Sequence, residues 1–234
     1  MSLIEELKEN FINIIEKNNL KHEDIEIKTC PSSPHEKEIL IEADFKGNKG
    51  QAFSTGAINF QGKIKDILNI DLNTSENRAL FIVCTNAVLK HLNLIEGTVH
   101  CNEKEVKRCA QKIADSFSRR YGMFLTIGMI GLQPTIAEAL IKKIGKENIR
   151  ICDNKNKDKN FYDVLIEDEK NMKNIVAGSF LTLANGNAIV DGKIDEIIKT
   201  FKEDNKSRIV IFYGVTIASA QKLLGLKRIC FESH

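Results

Sequence analysis

The stretch MFLTIGMIGLQPTIAEALIKKIGKENIRIC, residues 123–152, decides the fold. Its opening MFLTIGMI (123–130) is nearly all apolar, as in a parallel strand buried on both faces. Pro134 then stands where a first helical residue is favoured. Ile136, Leu140 and Ile144, joined by Ala137 and Ile141, make a stripe of helical period. Gly145 after KKI is a C-terminal stop, and IRIC (149–152) reads as a second strand. Strand, helix and strand in one span make a parallel crossover unit.

Toward the C terminus the rhythm repeats. DVLIE (163–167) reads as a third strand and NIVAGS (174–179) as a fourth, followed by a helix over IDEIIKTF (194–201). RIVIFYG (208–214), TIASAQKLLG (216–225) and RICFE (228–232) read as strand, helix and last strand. NKNKDKN (154–160) reads as a solvated loop. This half is expected to be a Rossmann-like domain with a mainly parallel sheet.

Toward the N terminus the pattern differs. Ile4, Leu7, Phe11, Ile14 and Ile15 share one face of a helix over 2–18. Ile25 and Ile27, then Ile39, Ile41, Ala43 and Phe45 after CPSSPHEK, alternate with polar residues as in an antiparallel hairpin. A further short strand is expected near Gln51–Ser54. One helix starts in NTSE (73–76) and runs through ALFIVCTNAVLKHL. Another is capped by Asn102 with Glu105 three residues on, and presents Val106, Ala110, Ile113 and Phe117. The division expected is an α+β unit over 1–118 and the Rossmann-like unit over 119–234.

The 234 residues carry a net charge of +2, with 42% hydrophobic and 28% charged residues, an ordinary globular composition. The near-neutral balance counts against a broad basic face for nucleic acid. Residues 1–117 hold 15 Lys and Arg against 18 Asp and Glu, and the remainder 19 against 14, so the second half suits an anionic small ligand. No apolar run reaches the length of a membrane span. MSLIEELKENF has carboxylates where a secretion signal needs basic and apolar stretches, so a cytoplasmic location is expected. Six scattered cysteines without a CxxC pair indicate neither a disulfide framework nor a Cys-rich zinc module.

In an open parallel sheet ligands bind beyond the carboxyl ends of the strands. Gly128, Gly131 and Gln133 form a glycine turn entering a helix, and Asp153 stands where a ribose-binding acid would. Gly178-Ser179, Asn185 in the following loop, and Gly214 with Thr216 are the other candidates for backbone and hydroxyl contacts to an anion. Each also has a plain structural reading as a turn or a cap. His100 and Cys101 precede the helix capped by Asn102. A thiol there would be acidified by the helix dipole and could join His100 as a metal ligand. Cys84, Cys109, Cys152 and Cys230 read as core; His22, His35 and His234 read as exposed.

Four segments carry a family resemblance: TIGMIGLQPTIAEAL (126–140), VAGSFLTLANG (176–186), IDEII (194–198) and IVIFYGVT (209–216). They resemble the Rossmann-like domain of the heavy-metal chelation domain family. ALFIVCTNAVL (79–89), with Asn86 in its Asn-Ala ending, resembles the helix of the accompanying cap, similar to the enolase N-terminal domain. Asn187 departs from the family's threonine after Asn-Gly, and AIVDGK is interposed before the next helix. The resemblance implies a small-ligand site connected with metal chelation, in a cleft between cap and Rossmann-like domain. The leading expectation is therefore a protein that binds an anionic or metal-chelating small ligand, with His100 or Cys101 touching a transition metal. One alternative is an enzyme using S-adenosylmethionine or NAD across Gly128–Gly131 and Asp153. The other is a non-catalytic scaffold assembling into a homo-oligomer through its cap.

Overall fold

The structure, a computed structural model, describes residues 1–30, 39–122, 125–203 and 209–234. Helix α1 (Leu3–Lys17) opens on a reciprocal box: Glu5 N–H donates to the Ser2 hydroxyl, and Ser2 N–H donates to the Glu5 carboxylate. It buries Leu7, Phe11 and Ile15, as the periodicity predicts.

Strands β1 (Asp24–Thr29), β2 (Ile39–Phe45), β3 (Asn48–Ser54) and β4 (Phe60–Lys63) form an antiparallel sheet in the order β3-β2-β1-β4. Ile25, Ile27, Ile41, Ala43 and Phe45 point into the core, so the alternating pattern holds. The link 31–37 read as a loop lies outside the described residues. Strand β4 was not expected. FQGK has no apolar alternation, and its strand form rests on pairing with β1, where Ile25 faces Gly62 and Ile27 faces Phe60.

Helix α2 (Ile64–Leu68) leads to α3 (Ser75–His91), whose Thr74 side chain accepts from Asn77 N–H. Residues 81–89 of α3 are buried on every side, the mark of a core helix rather than a surface one. Gly50 of β3 is what lets the sheet lie so close. A Cβ there would fall 2.3 Å from the Ala87 nitrogen of α3. Helix α4 (Glu103–Tyr121) starts on the expected box between Asn102 and Glu105.

The second sheet runs β11-β10-β9-β5-β6-β8-β7. Its strands are β5 (Ile127–Ile130), β6 (Ile149–Cys152), β7 (Asn160–Phe161), β8 (Val164–Glu167), β9 (Leu181–Asn185), β10 (Ile209–Tyr213) and β11 (Arg228–Ile229). The pairs are parallel except β7 with β8. Counted from β5 and leaving out β7, the order is 3-2-1-4-5-6, that of an open doubly wound sheet, with order reversing between β5 and β9. The helices between these strands are α5 (Pro134–Ile144), α6 (Met172–Gly178), α7 (Ile194–Glu203) and α8 (Ala218–Leu223). Residues 123, 124 and 208 of the expected strands lie outside the described residues.

One expectation fails here. NIVAGS is not a strand. Residues 174–178 belong to α6, with Ser179 as its C-cap, and the strand is the next segment, LTLAN. Met172, Ile175 and Val176 are the buried face, at the i, i+3, i+4 spacing of a helix; a short apolar run read without Met172 hides that period.

The parallel sheet is covered on both faces. Met129, Ile151, Leu183 and Ile211 pack with Ile113 and Phe117 of α4 and Ile136 and Leu140 of α5. Ile130, Cys152, Ala184 and Phe212 face the other way, into one continuous core with α6, α7 and the N-terminal elements from α1 to α3. Helix α4, which runs through position 118, thus packs across the parallel sheet from the antiparallel unit. The fold is mixed α/β with two sheets, one of them mostly parallel. Among the described residues no helix is long and apolar enough to cross a membrane.

Candidate functional site

The carboxyl edge of the parallel sheet collects Gly131, Gln133, Asp153, Asn185, Gly214 and Thr216. The loops after β5 and β9 touch: a Cβ on Gly131 would lie 3.5 Å from the Asn185 Cβ. The polar groups here are largely engaged with one another. Gly131 N–H donates to the Cys152 carbonyl at 2.9 Å, and Leu132 N–H donates to Asp153 Oδ2 at 3.0 Å. Asp153 Oδ1 accepts from both the backbone and the side-chain amide of Asn156, at 2.9 and 3.0 Å. Gln133 caps α5 by accepting from Ile136 N–H at 2.7 Å, and Asn185 accepts from Asn187 N–H at 2.9 Å. The buried Thr216 hydroxyl donates to Asn187 Oδ1 at 2.8 Å and accepts from Phe53 N–H at 3.1 Å.

Three other expected contacts fall elsewhere. Gly128 lies within β5, where a Cβ would meet Ile175 Cγ2 at 2.5 Å and Ser179 Oγ at 2.6 Å, so its missing side chain makes room for α6. Gly178 and Ser179 end α6 and precede β9, so they stand at the amino edge, opposite the other loops. That follows from 174–178 being helix. The Ser179 hydroxyl donates to the Ile175 carbonyl at 2.8 Å. Asn86 is wholly buried on α3. Its Nδ2 donates to the carbonyls of Gln51 and Val215 at 3.0 and 3.2 Å, and its Oδ1 accepts from Ser219 N–H at 2.9 Å. Asn86 thereby ties the antiparallel unit to the loop after β10 and to α8.

An open cavity of about 820 Å³ lies beside the end strand β11. Its walls come from the end of α3 (Lys90), the loop 93–97, α8 (Lys222) and the C-terminal segment, with Arg228, Cys230, Ser233 and His234. None of the candidates from the sequence lines it; Gly214 comes nearest, its carbonyl accepting from Arg228 Nε at 2.8 Å. Arg228 also donates to the carbonyls of Glu96 and Gly97 and to the Ser233 hydroxyl. Burial pushes its guanidinium down from the usual arginine range, and the Cys230 sulfur opposes this. The segment is further held by the paired backbones of Val99 and His234, at 2.9 and 3.0 Å, and by Glu232. Glu232 pairs with Arg108 at 2.7 Å and with Lys112, and these two cations hold its carboxyl down at about 2.

The cysteines sort differently from the expectation. Cys84, Cys109 and Cys152 are buried, but Cys230 is half-buried and lines the cavity. Hydrogen bonds from Cys109 and Ser233, with Arg228 and His100 nearby, hold the Cys230 thiol well below the ordinary range, and Cys109 is pushed up in return. Cys101 is not acidified at its helix end. Burial and the neighbouring Cys230 push it up to about 11, against the lowering effect of a backbone hydrogen bond. Its neighbour His100 donates from Nδ1 to the Cys101 carbonyl at 2.7 Å and stacks edge-on against Phe53. Among the described residues no group of three or more His, Cys, Asp or Glu is placed to hold a metal. Cys230 was missed because its partners lie in the folded-back C-terminal segment and on α4, a proximity no local pattern carries.

No family profile and no curated protein matches the sequence. Two solved structures share its fold. One is a protein of unknown function of the DUF364 family from Pyrococcus horikoshii, at TM-score 0.52 and 14% identity over 92% of this chain and 79% of that one. The other, likewise a DUF364 family protein of unknown function, is from Desulfitobacterium hafniense DCB-2, at TM-score 0.56 and 10% identity over 95% and 83%. At these identities the likeness is one of fold: this chain is built as the DUF364 structures are.

Proposed function

We propose that the protein binds a small anionic ligand, of a kind able to chelate metal, in the cavity between α3, α8 and the C-terminal segment. The observation that carries this reading is the cavity's lining. Lys90 and Lys222, backed by the charge of Arg228 in its bonds to the carbonyls of Gly214, Glu96 and Gly97, face a single acidic residue, Glu96, and Asn93, Gln221 and Ser233 add neutral polar groups. At about 820 Å³ the space is within the range of small-molecule sites. It lies where the antiparallel unit meets the end of the parallel sheet, in keeping with the cleft that the family resemblance implies. The nucleotide reading has no such support: the amides of residues 131 and 132 and both oxygens of Asp153 already hold protein partners.

Calorimetry with citrate, a chelating tricarboxylate, and with inorganic pyrophosphate tests the proposal. Saturable binding is expected, weakened about tenfold, or ~1.4 kcal/mol, by each of Lys90→Glu and Lys222→Glu. No heat with either anion, or equal binding by wild type and the double variant, refutes it.

A further inference from the structure

We infer that Cys230 and Cys109 form an oxidation-sensitive thiol pair, in which hydrogen peroxide entering the cavity oxidises Cys230 and Cys109 closes a disulfide. The pair does not depend on what else the cavity binds.

Three features of geometry lead to this. Cys230 is half-buried on the cavity wall, open to a small oxidant, while Cys109 stands behind it on α4 with 7% of its surface exposed. Phe231 N–H donates to Cys109 Sγ at 3.4 Å, which pins the backbone beside Cys230 to the facing thiol, and Cys230 packs against the core cluster that holds Cys109. Arg228 and Ser233 line the same wall as Cys230, and Cys109 together with these two draws its thiol below the ordinary range, an environment that favours a thiolate. The other thiols lack this combination. Cys84 and Cys152 are sealed in the core, burial beside Cys230 pushes the Cys101 thiol up to about 11, and among the described residues no cysteine stands beside Cys30 to resolve an oxidised sulfur.

The chemistry closes without a cofactor. The Cys230 sulfur attacks one peroxide oxygen and the O–O bond breaks, leaving a sulfenic acid and water. The Cys109 sulfur then attacks the Cys230 sulfur. The S–OH bond breaks, the S–S bond forms, and the leaving hydroxide takes the Cys109 proton as a second water. Two thiols are oxidised and one peroxide is reduced to two waters. A disulfide needs its sulfurs about 2.05 Å apart, so closure draws the segment after β11 onto α4, to which Glu232 already binds it.

The test treats the full-length protein with a small excess of hydrogen peroxide, blocks the remaining thiols under denaturing conditions, and maps the peptides by mass. The free-thiol count is expected to fall by two from six, with one cross-linked peptide joining 109 to 230. In Cys109→Ser the same treatment should leave Cys230 as a sulfenic acid trapped by dimedone; in Cys230→Ser no thiol should be lost at that dose. The wild-type map needs no variant to fold. Cys230 recovered as free as Cys30, or a link from Cys230 to Cys101, overturns the assignment.

Discussion

Replacing Asn86 by alanine should destabilise the protein without unfolding it, by an amount that can be worked from its contacts. The side chain is wholly buried, and both of its amide hydrogens and its oxygen are engaged, with Gln51, Val215 and Ser219. Truncation leaves one N–H and two carbonyls without these partners. A buried polar group left unpaired costs about 1–3 kcal/mol. The carbonyls keep a second lone pair and belong at the low end of that range, so roughly 3–5 kcal/mol is expected in all. In a chain of this size each kcal/mol lowers the melting temperature by about 2–4 °C, which makes the fall on the order of 10 °C. Asn86→Asp should be at least as damaging, because it keeps the acceptor for Ser219 but loses both donors and puts a carboxylate in a dry site. The assay is a thermal melt followed by circular dichroism, with urea unfolding as a second measure. A melting point within about 2 °C of wild type for Asn86→Ala would refute the structural role. Unchanged stability with weakened citrate binding would return Asn86 to the ligand.

Gly50→Ala should separate β3 from α3, since its Cβ has no room beside the Ala87 nitrogen, and should cost about 1–3 kcal/mol or more by overpacking; urea unfolding measures it, and a neutral substitution contradicts the close approach. Thr216→Val removes the hydroxyl joining Asn187 to Phe53 N–H and should cost about 1–3 kcal/mol in the same assay. Glu232 is acidified in the folded state, so its contribution is complete above the ordinary glutamate range, near pH 4.3, and is lost as pH falls toward about 2. The melting-point gap between wild type and Glu232→Gln should therefore be open at pH 6 and close on acidification through that window. A gap that stays constant to pH 2 would show that the ion pairs with Arg108 and Lys112 do not set it.

The doubly wound half of the fold could be read from the chain because burial on both faces leaves continuous apolar strands, and Pro134 and Gly145 mark the helix between two of them. The Asn102 box was legible for a similar reason: a cap is a local hydrogen-bond pattern written in adjacent residues. What local pattern does not carry was missed. Strand β4 exists through pairing with β1, and α6 shows its helical period only when Met172 is counted with Ile175 and Val176. The site expectations followed the rule for parallel sheets to its carboxyl edge, and six of the candidates do gather there. Whether an amide at such an edge is open to a ligand depends on its partners. Leu132 N–H meets Asp153, 21 residues on, and the Thr216 hydroxyl meets Phe53 N–H from the antiparallel unit. Cys230 is the opposite case. Its segment looked like a last core strand, yet only Arg228–Ile229 pair with β10, which leaves the thiol at the cavity wall beside α4.

The location of bound pyrophosphate tests the central claim most directly. In a crystal of the protein grown with pyrophosphate, this account places the anion among Lys90, Lys222 and Arg228, with the loops at Gly131 and Asn185 unchanged. Density instead at the carboxyl edge, with Leu132 N–H turned from Asp153 to the phosphate, would contradict it.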